Sequence, residues 1–219
     1  MYNMNKIWGF GDSYTFGHGC RPDGPNPEYY HDYKKEDDKI WLDWLGSYMK
    51  MRPVNLGECG SSNDSIFDRI IENWHNIKKD DVVIIGITFH NRLDVPIHNQ
   101  LSPFNWAHKY WIEHSKLPDH YKITQKEVET IIDFKYYFSN HDLYKERQLK
   151  RFHFIEQLLK EKNIKYLIWS VNDYVAIDSI HTIKEDTNGL INDLHFSFKG
   201  HLNFADIIHK KITNNMNII

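Results

Sequence analysis

A chain of 219 residues, 41% hydrophobic and 15% aromatic, can bury a substantial core in one domain spanning residues 1–219 and is too apolar for a disordered chain. Its formal net charge of -3 at pH 7 argues against a nucleic-acid binder, which carries a basic excess or stripe. Cys20 and Cys59 are too few for a disulfide framework, and neither a signal peptide nor an apolar run of about 18 residues is seen, so a cytoplasmic or otherwise soluble protein is expected.

Residues 5–10 read as a strand that stops at Gly11 within "IWGFGDSYTFG". Residues 20–38 are rich in Pro, Gly, Asp and Tyr and read as a long loop. "IWLDWLGSYMK" sets Ile40, Trp41, Trp44, Leu45 and Tyr48 at helical spacing. "PVNLG" is a short strand, and "SNDSIFDRIIENWHNIKK" a helix with Ser62 or Asn63 as its N-cap. "DVVIIGIT" is a continuous apolar run, the pattern of a strand buried on both faces of a parallel sheet. Residues 96–122 read as irregular. Helices are expected over roughly 124–138 and 142–162, a strand in "IKYLIWSV", loops with one short element over 172–197, and a terminal helix in "FKGHLNFADIIHKKI".

Strands alternating with helices point to an α/β protein with a central, mostly parallel sheet between two helical layers. The expected architecture is a flavodoxin-like three-layer α/β/α sandwich, with a helical and aromatic insertion near residues 96–140. In such sheets the active crevice lies beyond the carboxyl ends of the strands. Ser13, Gly60, Thr88–Asn91 and Asn172–Asp173 all follow predicted strands and should gather along that edge.

A serine hydroxyl needs a base, a group that orients the base, and donors aimed at the developing oxyanion. Ser13 in a turn after a strand can present both its oxygen and its own N–H, yet most Gly-Asp-Ser tripeptides are only turns. Neither G-x-G-x-x-G nor the P-loop spacing is present, which weakens a phosphate-binding reading. Near the far end, "NDLHFSFKGH" carries Asp193 and His195. A carboxylate two residues before a histidine can turn back onto one imidazole nitrogen and leave the other as base. With 14 histidines in the chain, a solvated loop would look similar. His201, in the terminal helix, is the competitor, with packing or capping as its simpler role.

"FGDSYTFG" after the first strand, "VNLGECGSSND" after the second and "DLHFSFKGHLNFA" before the last helix resemble the sequence blocks of the SGNH hydrolases, also called GDSL esterases and lipases. The resemblance runs from residue 6 to about residue 208, with Tyr14 in place of the usual Leu. It implies a serine hydrolase of carboxylic esters that needs no metal or cofactor. Ser13 is then the nucleophile, His195 the base and Asp193 its orienting carboxylate. The N–H groups of Ser13 and Gly60 and the side-chain amide of Asn91 form the oxyanion hole. Gly57 is the structural alternative to Gly60, and Thr88, at the family's asparagine position counted from Gly86, is the alternative to Asn91. The family usually has Asp-x-x-His; Asn192 stands there, so the carboxylate role passes to Asp193. Arg92 can bind an anionic group or pair with Asp94.

Phe104, Trp106, Tyr110 and Trp111 form either a cap over the crevice or a satellite hydrophobic cluster, and Tyr136, Tyr137 and Phe138 continue it. Polar rims and aromatic faces suit a carbohydrate, so the expected substrate is a short acyl ester, such as an O-acetyl group on a glycan. A lipase or thioesterase acting on a longer chain, and a non-catalytic glycan-binding module on the same fold, are the alternatives. A nucleotide-binding flavodoxin-like protein comes third.

Overall fold

The computed structural model describes residues 4–17, 39–89, 92–97, 100–104, 141–170, 180–182, 196 and 198–215, with helical residues 126, 129, 130 and 133. The expected loop at 20–38, the aromatic segment beyond Phe104, Asn91, Asn172–Asp173 and Asp193–His195 lie outside the described residues. In chain order the elements are β1 (Lys6–Gly11), α1 (Ser13–Phe16), α2 (Trp41–Met49), β2 (Arg52–Gly57), α3 (Asn63–Asn73), β3 (Val82–Ile87), β4 (Leu93–Ile97), β5 (Gln100–Phe104), α4 (His141–Glu161), β6 (Lys165–Ser170), β7 (Ile180–Thr182) and α5 (Phe198–Asn215).

The central sheet runs β2-β1-β3-β6-β7, with every neighbouring pair parallel. Alternation along the strands sends side chains to two separate cores. Ile7, Val82, Ile84, Leu167 and Trp169 pack with Trp41, Leu42 and Leu45 of α2 and Phe204, Ile208 and Ile212 of α5. Trp8, Phe10, Val83, Ile85 and Ile168 pack with Ile66 and Ile70 of α3 and Phe152, Ile155 and Leu159 of α4. All six residues of β3 are buried, as its unbroken apolar run predicts for a strand covered on both faces. The three-layer α/β/α arrangement is the one the sequence pattern calls for.

Polar clips fix the ends of these elements. Buried Asp81 accepts hydrogen bonds from Lys6 N (2.8 Å), Trp8 Nε1 (2.9 Å) and Lys78 N (3.0 Å), pinning the start of β1 beside β3. The Asp43 carboxylate accepts from Ile40 N at 3.0 Å and closes the first turn of α2. Ser62, not Asn63, caps α3, its hydroxyl accepting from Ser65 N at 3.0 Å.

The segment from residue 96, expected to be irregular, opens instead with an antiparallel hairpin of β4 and β5 in which Pro96 faces Leu101 and Pro103 faces Asp94. Proline argues against a central strand because it cannot donate to a ladder. In a two-stranded hairpin both strands are edges, so that objection falls away.

Candidate active site

The carboxyl ends of β1 and β2 lie side by side, Gly11 against Gly57, and those of β3 and β6 likewise, Ile87 against Ser170. Ser13, Gly60 and Thr88 follow β1, β2 and β3, so the structure brings these three to one edge. Asn91, Asp193 and His195 lie outside the described residues.

Ser13 is not in an open loop: it is the first residue of the single-turn helix α1, and it is buried at 6% exposure. Asp12 makes that turn possible. Its backbone is extended and its Oδ1 accepts from Tyr14 N at 3.1 Å, the N-cap geometry that satisfies an otherwise orphaned donor. Its carbonyl accepts from Phe16 N at 2.9 Å, and Gly17, at φ 104, closes the turn by donating to Ser13 O at 3.0 Å. Beneath α1 lies Gly57. A Cβ there would run into Phe16 N and sit 2.7 Å from Thr15 C, so only glycine lets the Ser13 turn rest on the end of β2.

Gly60 occupies the turn from Glu58 to Ser61, closed by Ser61 N donating to Glu58 O at 3.2 Å. Its φ of 80 is the left-handed conformation that a tight turn of this kind needs at its third residue. Glu58 N donates to Gly11 O at 3.1 Å, holding the turn against β1.

Thr88 is fully engaged. Its hydroxyl donates to Asp12 Oδ2 at 2.6 Å, its N–H donates to Asn63 Oδ1 at 2.9 Å, and its carbonyl accepts from Asn63 Nδ2 at 3.0 Å. Asn63 Nδ2 also donates to Gln148 Oε1 at 3.0 Å. The hydroxyl proton of Thr88 is thus committed to Asp12 rather than aimed into the crevice. Asn63 and Gln148 were not visible as site residues in the sequence. A capping-type Asn and a Gln on a helix are ordinary residues until the fold joins them across 85 positions.

Arg92 forms an ion pair with Asp12, Nη1 to Oδ2 at 3.0 Å, and donates to Ser61 O at 3.2 Å. Salt bridging was one of the two roles expected for it, and Asp12 is a carboxylate it pairs with; the side chain of Asp94, the expected partner, lies outside the described residues. Its guanidinium lies 5.1 Å from the Phe89 ring, and the Arg92 backbone N–H donates to Phe89 O at 3.2 Å. Cys59, beside Gly60, is a free thiol whose pKa is pushed up to about 12, first by burial and then by the negative charge of Asp12. It stays protonated at neutral pH, which makes it a poor nucleophile.

His201 lies fully buried on α5. Its Nδ1 accepts from Trp41 N at 3.4 Å, and its ring meets Phe196 edge-on at 5.5 Å. Trp41 in turn donates from Nε1 to Tyr14 O at 3.0 Å. His201 is a packing and capping residue for the first turn of α2. Phe196, the residue after His195, is itself buried and packs on Tyr14, the residue after Ser13, with ring centroids 5.3 Å apart. Among the described residues no group of three His, Cys, Asp or Glu side chains could hold a metal ion. No described helix is long and apolar enough to cross a membrane.

No protein-family model matches the chain, and no curated protein matches it in sequence. Solved structures do match it. A carbohydrate esterase whose active site displays divergent catalytic and non-catalytic binding functions superposes with a TM-score of 0.56 at 10% identity, over 96% of this chain and 65% of its own. A family 2 carbohydrate esterase with a carbohydrate-binding domain, from Corynascus thermopiles, matches at TM-score 0.47 and 12% identity, covering 97% of this chain and 67% of that one. A lipolytic protein assigned to the G-D-S-L family, from Desulfitobacterium hafniense, matches at TM-score 0.38 and 15% identity, covering 94% and 98%. At such identities the likeness is one of fold. With its parallel sheet flanked by helices and its superposition on a carbohydrate esterase over 96% of the chain, the protein has the α/β fold of the SGNH hydrolases.

Proposed function

We propose that this protein is a serine esterase that hydrolyses carboxylic esters, with short acyl groups such as O-acetyl on a carbohydrate as its substrate class. The observation that carries the reading is the contact between Phe196 and Tyr14. Phe196 follows His195 in the sequence and Tyr14 follows Ser13, so the described neighbours of the proposed base and nucleophile meet in the core. The buried Ser13 turn, the αL turn at Gly60 and the carbohydrate esterases among the structures of like fold support the same reading.

In this mechanism Ser13 Oγ attacks the ester carbonyl while His195 takes its proton. His195 then delivers that proton to the leaving alcohol, and a water molecule, deprotonated by His195, hydrolyses the acyl-enzyme. Asp193 orients the imidazole and stabilises its cationic form. The N–H groups of Ser13 and Gly60 and the Asn91 amide receive the oxyanion, where each donor is worth about a hundred- to thousand-fold in turnover.

Labelling the folded protein with a fluorophosphonate and mapping the modified residue tests the assignment. Modification at Ser13, with loss of activity toward a small acetyl ester in Ser13→Ala, is the expected result. A folded protein that binds acetylated glycan but neither labels at Ser13 nor turns over ester is a binding module instead. The carbohydrate esterase of like fold, with its non-catalytic binding function, keeps that second reading in play.

A further inference from the structure

Two arginines, one on α3 and one just before β4, converge on one buried residue, Ser61, which has 0% exposure. Arg69 on α3 donates from Nη2 to Ser61 Oγ at 2.7 Å and to Gly11 O at 3.0 Å, and from Nη1 to Glu58 Oε2 at 2.6 Å. Arg92 donates from Nη1 to Ser61 O at 3.2 Å and to Asp12 Oδ2 at 3.0 Å. Each guanidinium therefore holds Ser61 with one contact and the Gly11–Asp12 junction of β1 and α1 with another. Gly11 and Asp12 are the two residues before Ser13, and Ser61 is the residue after Gly60.

We propose that Arg69 and Arg92 are positioning residues that clamp the Gly60 turn onto the Ser13 turn, and so set the spacing between the two backbone N–H donors of the oxyanion hole. The proposal rests on the hydrolase reading and deepens it. Neither residue needs to touch substrate. A planar guanidinium with several donors in fixed geometry can span two acceptors, whereas a lysine ammonium keeps the charge but not the fork. A donor displaced by about 1 Å can cost about a hundred-fold in rate, so geometry rather than charge is what the clamp supplies. The buried pair with Asp12 serves the same end: the carboxylate that caps α1 through Oδ1 is anchored through Oδ2.

Arg69→Lys and Arg92→Lys test the clamp. With a small acetyl ester, each is expected to lower kcat about 10- to 100-fold while KM stays within about twofold. Amide hydrogen exchange at Ser61, whose N–H bonds Glu58 O, is expected to speed up in both. Tyr166→Phe, at the amino-terminal end of β6, removes the phenol's hydrogen bond to Glu156 of α4 and is the control: it should lower stability and leave kcat unchanged. If both arginine variants fold and keep wild-type kcat, or lose activity only through KM, the clamp is refuted while the esterase reading stands. If the wild-type protein hydrolyses no ester, the esterase reading fails on its own, and unchanged Ser61 exchange in the variants then refutes the clamp as well.

Discussion

The ring of Phe196 meets the ring of Tyr14 edge-on, with centroids 5.3 Å apart and planes at 74°. Phe196 also stacks on Trp169 at 6.5 Å and lies 4.9 Å from Phe204, so the chain beside His195 is anchored in the core next to Ser13. His201, six positions on, belongs to that core. His195→Ala is expected to lower kcat at least about a thousand-fold with little change in Tm. His201→Ala is expected to cost about 2–3 kcal/mol in stability, since it leaves Trp41 N without its acceptor. Steady-state kinetics beside thermal melts decide the ranking, and the opposite order would transfer the base to His201.

Gly57 separates packing from chemistry. In Gly57→Ala the new methyl would collide with the backbone of Thr15 and Phe16, neither of which can rotate away. Overpacking of this kind costs about 1–3 kcal/mol, and relief of the clash must move α1 and Ser13 with it. A lowered urea midpoint together with reduced kcat is expected; a variant with unchanged kcat would mean that Ser13 does not depend on the position of α1.

Thr88 and Asn91 make opposite predictions. Thr88→Val deletes the hydroxyl that donates to the buried Asp12 carboxylate, a charge-assisted bond worth about 1.5–3 kcal/mol, and should act mainly on stability. Asn91→Ala should lower kcat about a hundred- to thousand-fold, as expected for an oxyanion donor. Comparing kcat and denaturation midpoints for the two variants assigns the third donor, and a larger kcat loss in Thr88→Val would reverse it.

Alkaline pH should destabilise the protein through two groups. The Cys59 thiol is raised to about 12, first by burial, and the Tyr166 phenol is raised by burial and by its hydrogen bond to Glu156. Both are neutral when protonated and have ordinary pKa values of 9.0 and 10.0. The unfolded chain therefore ionises first. Their contribution is complete below those ordinary values and is lost as pH rises through the folded ones. Urea titrations at pH 8 and pH 11 should show a smaller loss in Cys59→Ser and in Tyr166→Phe than in the wild-type protein. Equal losses in all three would show that neither group is linked to unfolding.

Local pattern carried most of the fold. The apolar runs of β3 and β6, the helical spacing around Trp41 and the residues flanking "GDS" are short-range features, and hydrophobic periodicity reports them directly. The turn of helix at Ser13 was less visible because it depends on an Asp12 side chain capping its own chain. The β4–β5 hairpin was missed because proline is a valid warning against strands that need a donor, and edge strands do not.

The sequence by itself determined the alternation of strands and helices, the carboxyl edge at which Ser13, Gly60 and Thr88 gather, and the resemblance that singled out Ser13. Only the tertiary structure decided that Thr88 spends its hydroxyl on Asp12, that Arg92 pairs with Asp12, and that Arg69 and Arg92 meet at Ser61. Those contacts join residues separated by 8 to 80 positions. Buried polar groups must find partners, but nothing local to a hydroxyl or a guanidinium names the partner; that choice is made by which strand ends and helix turns the packed core brings within hydrogen-bond reach.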